Sequence, residues 1–216
     1  MNPFTSSWIC TAIIVICLCA RSVNAGAIEV FVTDNAGEPL ANAVVQLVGS
    51  SEAVNVSKQP LVMDQMDKSF VPKVLLAPIH SEINFPNSDN IRHHVYSFSK
   101  AKTFELKLYA GQPKDPIKFD QEGIVVLGCN IHDSMVGYIY VTDAQAYLTD
   151  VNGMVYIQSL PEEVNSIAVW HPDTKQGVDY RKVIQVPSSN TSQITVSLDI
   201  QSPEPRNTFE DVFGSL

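Results

Sequence analysis

The chain has 216 residues, a formal net charge of −9, and 13 prolines beside 10 glycines. Such a charge excludes a nucleic-acid binder, whose affinity comes from Lys and Arg neutralising phosphates, and suits solubility and a partner with basic or metal-borne charge. Abundant Val, Ile and Thr between proline and glycine breaks predict an all-β chain with room for one large or two small domains.

Residues 9–20 form a short apolar run, followed by Arg21 and by Val23-Asn24-Ala25 before Gly26. A small-residue site behind such a run reads as a secretory signal peptide, here residues 1–25. The run is shorter than the roughly 20 apolar residues a membrane helix needs. The expectation is therefore a periplasmic or otherwise secreted protein with no membrane span once the signal is cleaved. Cys10, Cys17 and Cys19 lie in the signal, which leaves Cys129 as the single cysteine of the exported chain. A lone thiol in an oxidising compartment is a liability unless it is buried or occupied.

Beyond the signal, Ile28–Val32 alternates as a strand. Asp34-Asn35-Ala36-Gly37 supplies turn chemistry, and Ala43–Val48 is a second strand, so the pair reads as a hairpin. Residues 55–75 are polar and broken by Pro60 and Pro72, and Lys73–Ala77 and Ile83–Phe85 are apolar again. Ile91–Ser99 is a strand carrying His93 and His94. In Thr103–Tyr109, Phe104, Leu106 and Leu108 alternate against Glu105, Lys107 and Tyr109, the pattern of a half-buried strand. Ile117–Phe119, Ile124–Leu127 and Val136–Val141 are further strands. Ala146–Thr149 and Met154–Ile157 flank Asp150-Val151-Asn152-Gly153 and read as a second hairpin. Ser166–Trp170 and Gln193–Ile200 complete the strands, and residues 201–216 read as a tail with one helical turn near Phe209.

Between the strands at 124–127 and 136–141 lies Gly128-Cys129-Asn130-Ile131-His132-Asp133-Ser134-Met135. The spacing Cys-x2-His-x2-Met gathers a thiolate, an imidazole and a thioether in one loop, and the pair His93-His94 can add a second imidazole from a neighbouring strand. Thiolate, two imidazoles and a weak axial thioether make the ligand set of a blue-copper electron-transfer site. Periodicity leaves the choice of histidine open: His94 shares a face with Tyr96 and Phe98, His93 with Ile91 and Val95.

The order His, then Cys-x2-His-x2-Met, resembles the cupredoxins, and the short loop looks most like amicyanin. Residues 60–141 also resemble the plastocyanin-like proteins known as methylamine utilisation proteins. The shared phrases are Phe85-Pro86-Asn87-x-Asp89, His93–Ser99 and Gly128–Asp133 with Met135. The resemblance implies a Greek-key β-sandwich, one type 1 copper, and electron transfer to a redox partner such as a c-type cytochrome or a dehydrogenase. Aligned on Val95, it puts the ligands at His93, Cys129, His132 and Met135, with His94 as the alternative to His93 and Asn130 and His94 around them. Asp133 and Ser134 depart from the apolar sequence that small blue-copper proteins often carry after the loop histidine, and favour a partner with basic charge.

The two ends of the chain share a second resemblance. Val32-x-Asp34-x-x-Gly37-x-Pro39-Leu40, and Thr149-Asp150-x-Asn152-Gly153 with Val169-Trp170-His171-Pro172, are similar to two halves of a carboxypeptidase-regulatory-like (transthyretin-like) sandwich. The expected organisation is residues 27–54 and 142–200 forming that sandwich, with the copper domain at 55–141 inserted in it or adjacent to it. Surface loops tolerate such insertions, since closing a long loop costs little. His80 and His171 read as solvent-facing, Met63 and Met66 as packing, Tyr138 and Tyr140 as sandwich filling, and Asp143, Asp150 and Asp173 as turn residues. With no nucleophile–base pair and no phosphate loop in the sequence, enzymatic chemistry is not expected. A copper-delivery protein and a structural adhesion-type sandwich are the rival readings.

Overall fold

The protein is described by a computed structural model covering residues 27–50, 58–161, 163–187 and 193–201. The expected signal peptide and nearly all of the expected tail lie outside those residues. Among the described residues there are seventeen strands and no helix. They are β1 Ile28–Thr33, β2 Val44–Val48, β3 Leu61–Val62, β4 Asp64–Met66, β5 Ser69–Val71, β6 Val74–Pro78, β7 Glu82–Asn84, β8 His93–Ser99 and β9 Lys102–Tyr109. There follow β10 Ile117–Lys118, β11 Gly123–Cys129, β12 Val136–Thr142, β13 Ala146–Leu148, β14 Met154–Ile157, β15 Ser166–Trp170, β16 Lys182–Gln185 and β17 Gln193–Ser197.

Pairing separates the chain into an outer and an inner set. Strands from the two ends of the chain form the sheets β14-β1-β17 and β13-β2-β15-β16, whereas β3 to β12 pair only among themselves. The inner set consists of the five-stranded sheet β6-β12-β11-β8-β9, the sheet β10-β7-β3 and the hairpin β4-β5. Each set encloses its own core. Val30, Val45, Leu47, Val155 and Val169 meet between the outer sheets, and Phe85, Val95, Phe119, Leu127 and Ile139 between the inner ones.

Both phrases expected to be hairpins are instead corners. β1 pairs with β14 and β17, while β2 pairs with β13 and β15; β13 and β14 likewise enter different sheets. The turn chemistry itself is present. Asp150 Oδ1 accepts the Asn152 and Met154 N–H groups, and Gly153 takes φ +72°, its missing Cβ leaving room for the Val32 carbonyl. A turn fixes where the chain reverses. Which edges then pair is set by the apolar faces, and here the strands on either side of each turn enter opposite sheets of the outer sandwich.

The two sets meet along β15, β2 and β12. Ser166-Ile167-Ala168-Val169-Trp170 is buried throughout because Ile167 and Val169 face the outer core while Trp170 faces the inner unit. A strand covered on both faces reads as a near-continuous apolar run. Trp170 packs edge-on against Tyr138 and Tyr140, at ring-centroid distances of 5.9 and 5.5 Å, beside Val44, Val74 and Ile124. The Tyr140 hydroxyl donates to Gln46 Oε1 at 2.5 Å and accepts from Arg181 Nε at 2.7 Å. Tyr138 and Tyr140 are thus packing residues, filling the junction between the two sandwiches.

Three further differences from the sequence reading have local causes. Residues 55–75, read as a polar connection, contain the strands β3, β4 and β5, which are two or three residues long and too short to show a period. In β9 the alternation breaks. Between the partners His93–Tyr109 and Val95–Leu106, two steps along β8 oppose three along β9, a bulge that turns Leu108 out to 50% exposure and Tyr109 inward. His171, expected at the surface, is buried, with Nε2 donating to the Ala41 carbonyl at 3.2 Å and Nδ1 accepting from the Asp173 N–H at 3.2 Å. Burial holds its pKa below the ordinary histidine value, against the pull of Asp173.

Candidate metal centre

The centre lies where β8 and β11 run side by side. Cys129 is the last residue of β11 and pairs with Val95, so its side chain shares the inner face of the sheet with Val95 and, two residues before it, His93. After Cys129 the chain turns back into β12 through a tight loop, closed by the Met135 N–H donating to the His132 carbonyl at 3.0 Å. That loop returns His132 to the cysteine. His93 Nδ1 stands 3.7 Å and His132 Nδ1 3.9 Å from Cys129 Sγ. One donor atom from each of the three residues lies within 4.8 Å of the others.

These spacings fit a first-row transition ion. With bonds of about 2.0 Å to nitrogen and about 2.3 Å to sulfur, trigonal donors stand roughly 3.7 Å apart, sulfur to nitrogen. His93 is fully buried and Cys129 nearly so, while His132 is half-buried and brings one edge of the centre to the surface. Burial holds the His132 pKa below its ordinary value, helped by the nearby His93 and the Lys68 ammonium. The loop imidazole is therefore neutral, the form in which it can act as a ligand. Met135 is 1% exposed and belongs to the same apolar cluster as Cys129.

Of the five residues singled out in the sequence, His93, Cys129 and His132 come together and Met135 is buried beside them. His94 does not join them. It lies on the outer face of β8, edge-on to Tyr96, with Nε2 3.0 Å from Glu105 Oε1 but out of line for a hydrogen bond. The neighbouring strand closes over this region: the Tyr96 ring covers Gly128, where a Cβ would come within 2.7 Å of it. Met63 is buried, whereas Met66 on the exposed side of β4 is 44% exposed. His80 is exposed as expected, holds φ +70° where a glycine is the usual residue, and pairs with Asp120 at 3.1 Å.

Sequence reasoning missed the role of Asp89. Its Oδ2 accepts a hydrogen bond of 2.6 Å from His93 Nε2. The same carboxylate receives the Asp67 N–H at 2.7 Å and the Lys68 N–H at 3.0 Å. Burial opposes its charge, but the Lys68 N–H, His93 and the Asp67 N–H outweigh it and hold its pKa below the ordinary carboxylate value. The available signal was the i, i+4 spacing of Asp89 and His93 across a turn. Asn87 shapes that turn. It is buried, its amide donates to the carbonyls of Ile91 and Tyr109, and its Oδ1 accepts the Asp89 N–H.

Fold and site together define an all-β protein with a buried His–Cys–His donor cluster at one end of an inner sandwich. No family model matches the chain, and no curated protein does either. Solved structures do. The chain is similar to a Cu-containing nitrite reductase (NirK) from Thermus scotoductus SA-01, at 22% identity over 52% of this chain and 28% of that one, with a TM-score of 0.37. It is similar to amicyanin from Paracoccus versutus, at 15% identity over 45% of this chain and 97% of that one, TM-score 0.34. A novel purple cupredoxin from Nitrosopumilus maritimus matches at 19% identity over 38% of this chain and 96% of that one, TM-score 0.33. The matched part of this chain thus spans under a third of the nitrite reductase and nearly all of the two smaller proteins.

Proposed function

We propose that this protein is an exported electron carrier holding one type 1 copper, and not an enzyme. The observation that carries the reading is the convergence of Cys129 Sγ, His93 Nδ1 and His132 Nδ1 at trigonal spacing beside an apolar core. Thiolate and imidazole donors together select copper over the hard cations that prefer oxygen. Copper held there would alternate between Cu(I) and Cu(II), accepting and releasing one electron at a time. The residues of the chain do the rest. Cys129 and the two histidines would hold the ion, Met135, buried in the same cluster, would offer a weak further donor, and Phe85, Val95 and Leu127 in the surrounding core exclude water. His132, at the rim, is the closest approach for a redox partner, such as a c-type cytochrome or a dehydrogenase.

The copper unit, β3 to β12, sits as an insert within a carboxypeptidase-regulatory-like sandwich made from the chain's two ends; the closed pairing of each set supports this arrangement. Export to the periplasm or beyond follows from the apolar run at residues 9–20 and the small-residue site behind it.

Copper loading of the purified protein is the test. The expected result is an intense visible absorption from the copper–thiolate bond and a reversible one-electron wave. The colour should vanish in His93→Ala and only shift in His94→Ala. Tight Cu(I) binding without colour would make this a delivery protein, and absence of bound metal would leave an adhesion-type sandwich.

A further inference from the structure

An ionised carboxylate only accepts hydrogen bonds. Asp89 spends its acceptors on three donors: the backbone N–H groups of Asp67 and Lys68, and His93 Nε2. Nε2 must therefore carry a proton, and in the neutral ring Nδ1, 3.7 Å from Cys129 Sγ, presents a bare lone pair to the centre. The two backbone donors come from the tip of the β4–β5 hairpin, where Asp67 and Lys68 stand at φ +52° and +56°. Left-handed backbone is unfavourable for a non-glycine residue. Here it aims consecutive N–H groups at one anion, the geometry of a backbone anion nest. Further bonds fasten the hairpin to the loop bearing Asp89. The Ser88 hydroxyl donates to Asp64 Oδ2 at 2.7 Å, the Ser88 N–H to the Gln65 carbonyl at 3.0 Å, and the Gln65 N–H to the Pro86 carbonyl at 3.1 Å.

We propose that Asp89 is the positioning residue of the metal centre: held by the β4–β5 turn, it fixes the His93 tautomer that leaves Nδ1 free to bind and raises the donor strength of that ring. The hairpin thereby becomes part of the centre through its backbone N–H groups. The inference about the tautomer stands on the hydrogen bonds alone. The inference about donor strength rests on the copper reading, because a carboxylate on Nε2–H makes the imidazole a better donor to the more highly charged oxidised ion.

The test has two arms. In metal-free protein, nitrogen-15 NMR of the imidazoles should find His93 as the Nε2–H tautomer. Asp89→Ala should populate the Nδ1–H form, and Lys68→Gly, which keeps the turn and its N–H, should leave the tautomer unchanged. Wild-type tautomer populations in a folded Asp89→Ala protein would overturn the proposal. If Asp89→Ala does not fold, Asp89→Asn serves instead. Its amide oxygen cannot accept from all three donors, so it should shift the same population part of the way, and no shift would count against the proposal. In copper-loaded protein, Asp89→Asn should lower Cu(II) affinity by about 10- to 100-fold and raise the reduction potential, with Asp89→Glu restoring part of both. Unchanged affinity and potential would overturn the donor-strength half. A wild-type protein that takes up no copper would sink the copper reading and that half with it, while the NMR arm still decides the tautomer.

Discussion

The five-stranded inner sheet treats its two ends differently. At the β8–β11 corner it buries polar, reactive groups, His93 and Cys129, and satisfies them through a chain of hydrogen bonds that ends at a hairpin turn. At the opposite end, where β12 meets the outer sandwich, it buries Tyr140 and Trp170 in an aromatic junction in which the Tyr140 hydroxyl and Trp170 Nε1 are both hydrogen-bonded. The first arrangement sacrifices packing for donor atoms that point at one spot. The second is packing with a few hydrogen bonds fixing its register. Damage at one end should therefore leave a different signature from damage at the other.

The sharpest separation comes from Cys129→Ala. It should remove the copper–thiolate absorption completely while leaving the fluorescence of Trp170 unchanged, since that ring lies at the far end of the sheet. Next is Trp170→Ala, expected to cost about 3–5 kcal/mol in denaturant unfolding, with the visible spectrum of the surviving folded protein retained. Gly128→Ala strikes the metal end through packing alone. Its new methyl would lie within 2.7 Å of the Tyr96 ring, an overpacking cost of about 1–3 kcal/mol, and adding Tyr96→Leu should recover most of it in the same melt.

A smaller effect belongs to the outer sandwich. His171 is kept neutral by burial, so its folded pKa lies below the unfolded value of about 6.5. Below that pH the unfolded chain takes up the proton first, and stability falls with acidification, by at most about 1.4 kcal/mol per pH unit. Unfolding curves from pH 7 to pH 5 should show this slope, and His171→Gln should flatten it. Least of all, Phe98→Ser should change stability by no more than about 0.5 kcal/mol, because Phe98 is 81% exposed on the outer face of β8.

The same contrast explains what could be read in advance. Cys129 and His132 were legible because their donors come from one short loop, whereas the period of two along β8 left His93 and His94 open and only the resemblance, aligned on Val95, favoured His93. The junction was half visible: the uninterrupted apolar run Ser166–Trp170 marked a strand but not its second covering. What escaped was non-local. The β4–β5 turn contains no glycine, so nothing in Asp67-Lys68 advertises left-handed backbone; only the distant Asp89 carboxylate makes it worthwhile. The two corners read as hairpins because turn residues report reversal and not destination. His171 read as exposed because its partner, the Ala41 carbonyl, lies 130 residues away.

The bulge in β9 carries a consequence for the edge of the inner sheet. Were β9 to run past β8 with an even pleat and no bulge, Leu108 would swing into the interior and the phenol of Tyr109 would be expelled. The Phe85 carbonyl, which receives that phenol at 2.7 Å, would lose its donor. So would the Asn87 side chain lose one of the two carbonyls that anchor it, since the other end of its fork rests on Tyr109. One extra residue at an exposed rim thus steadies the bend that carries Asp89 toward the imidazole.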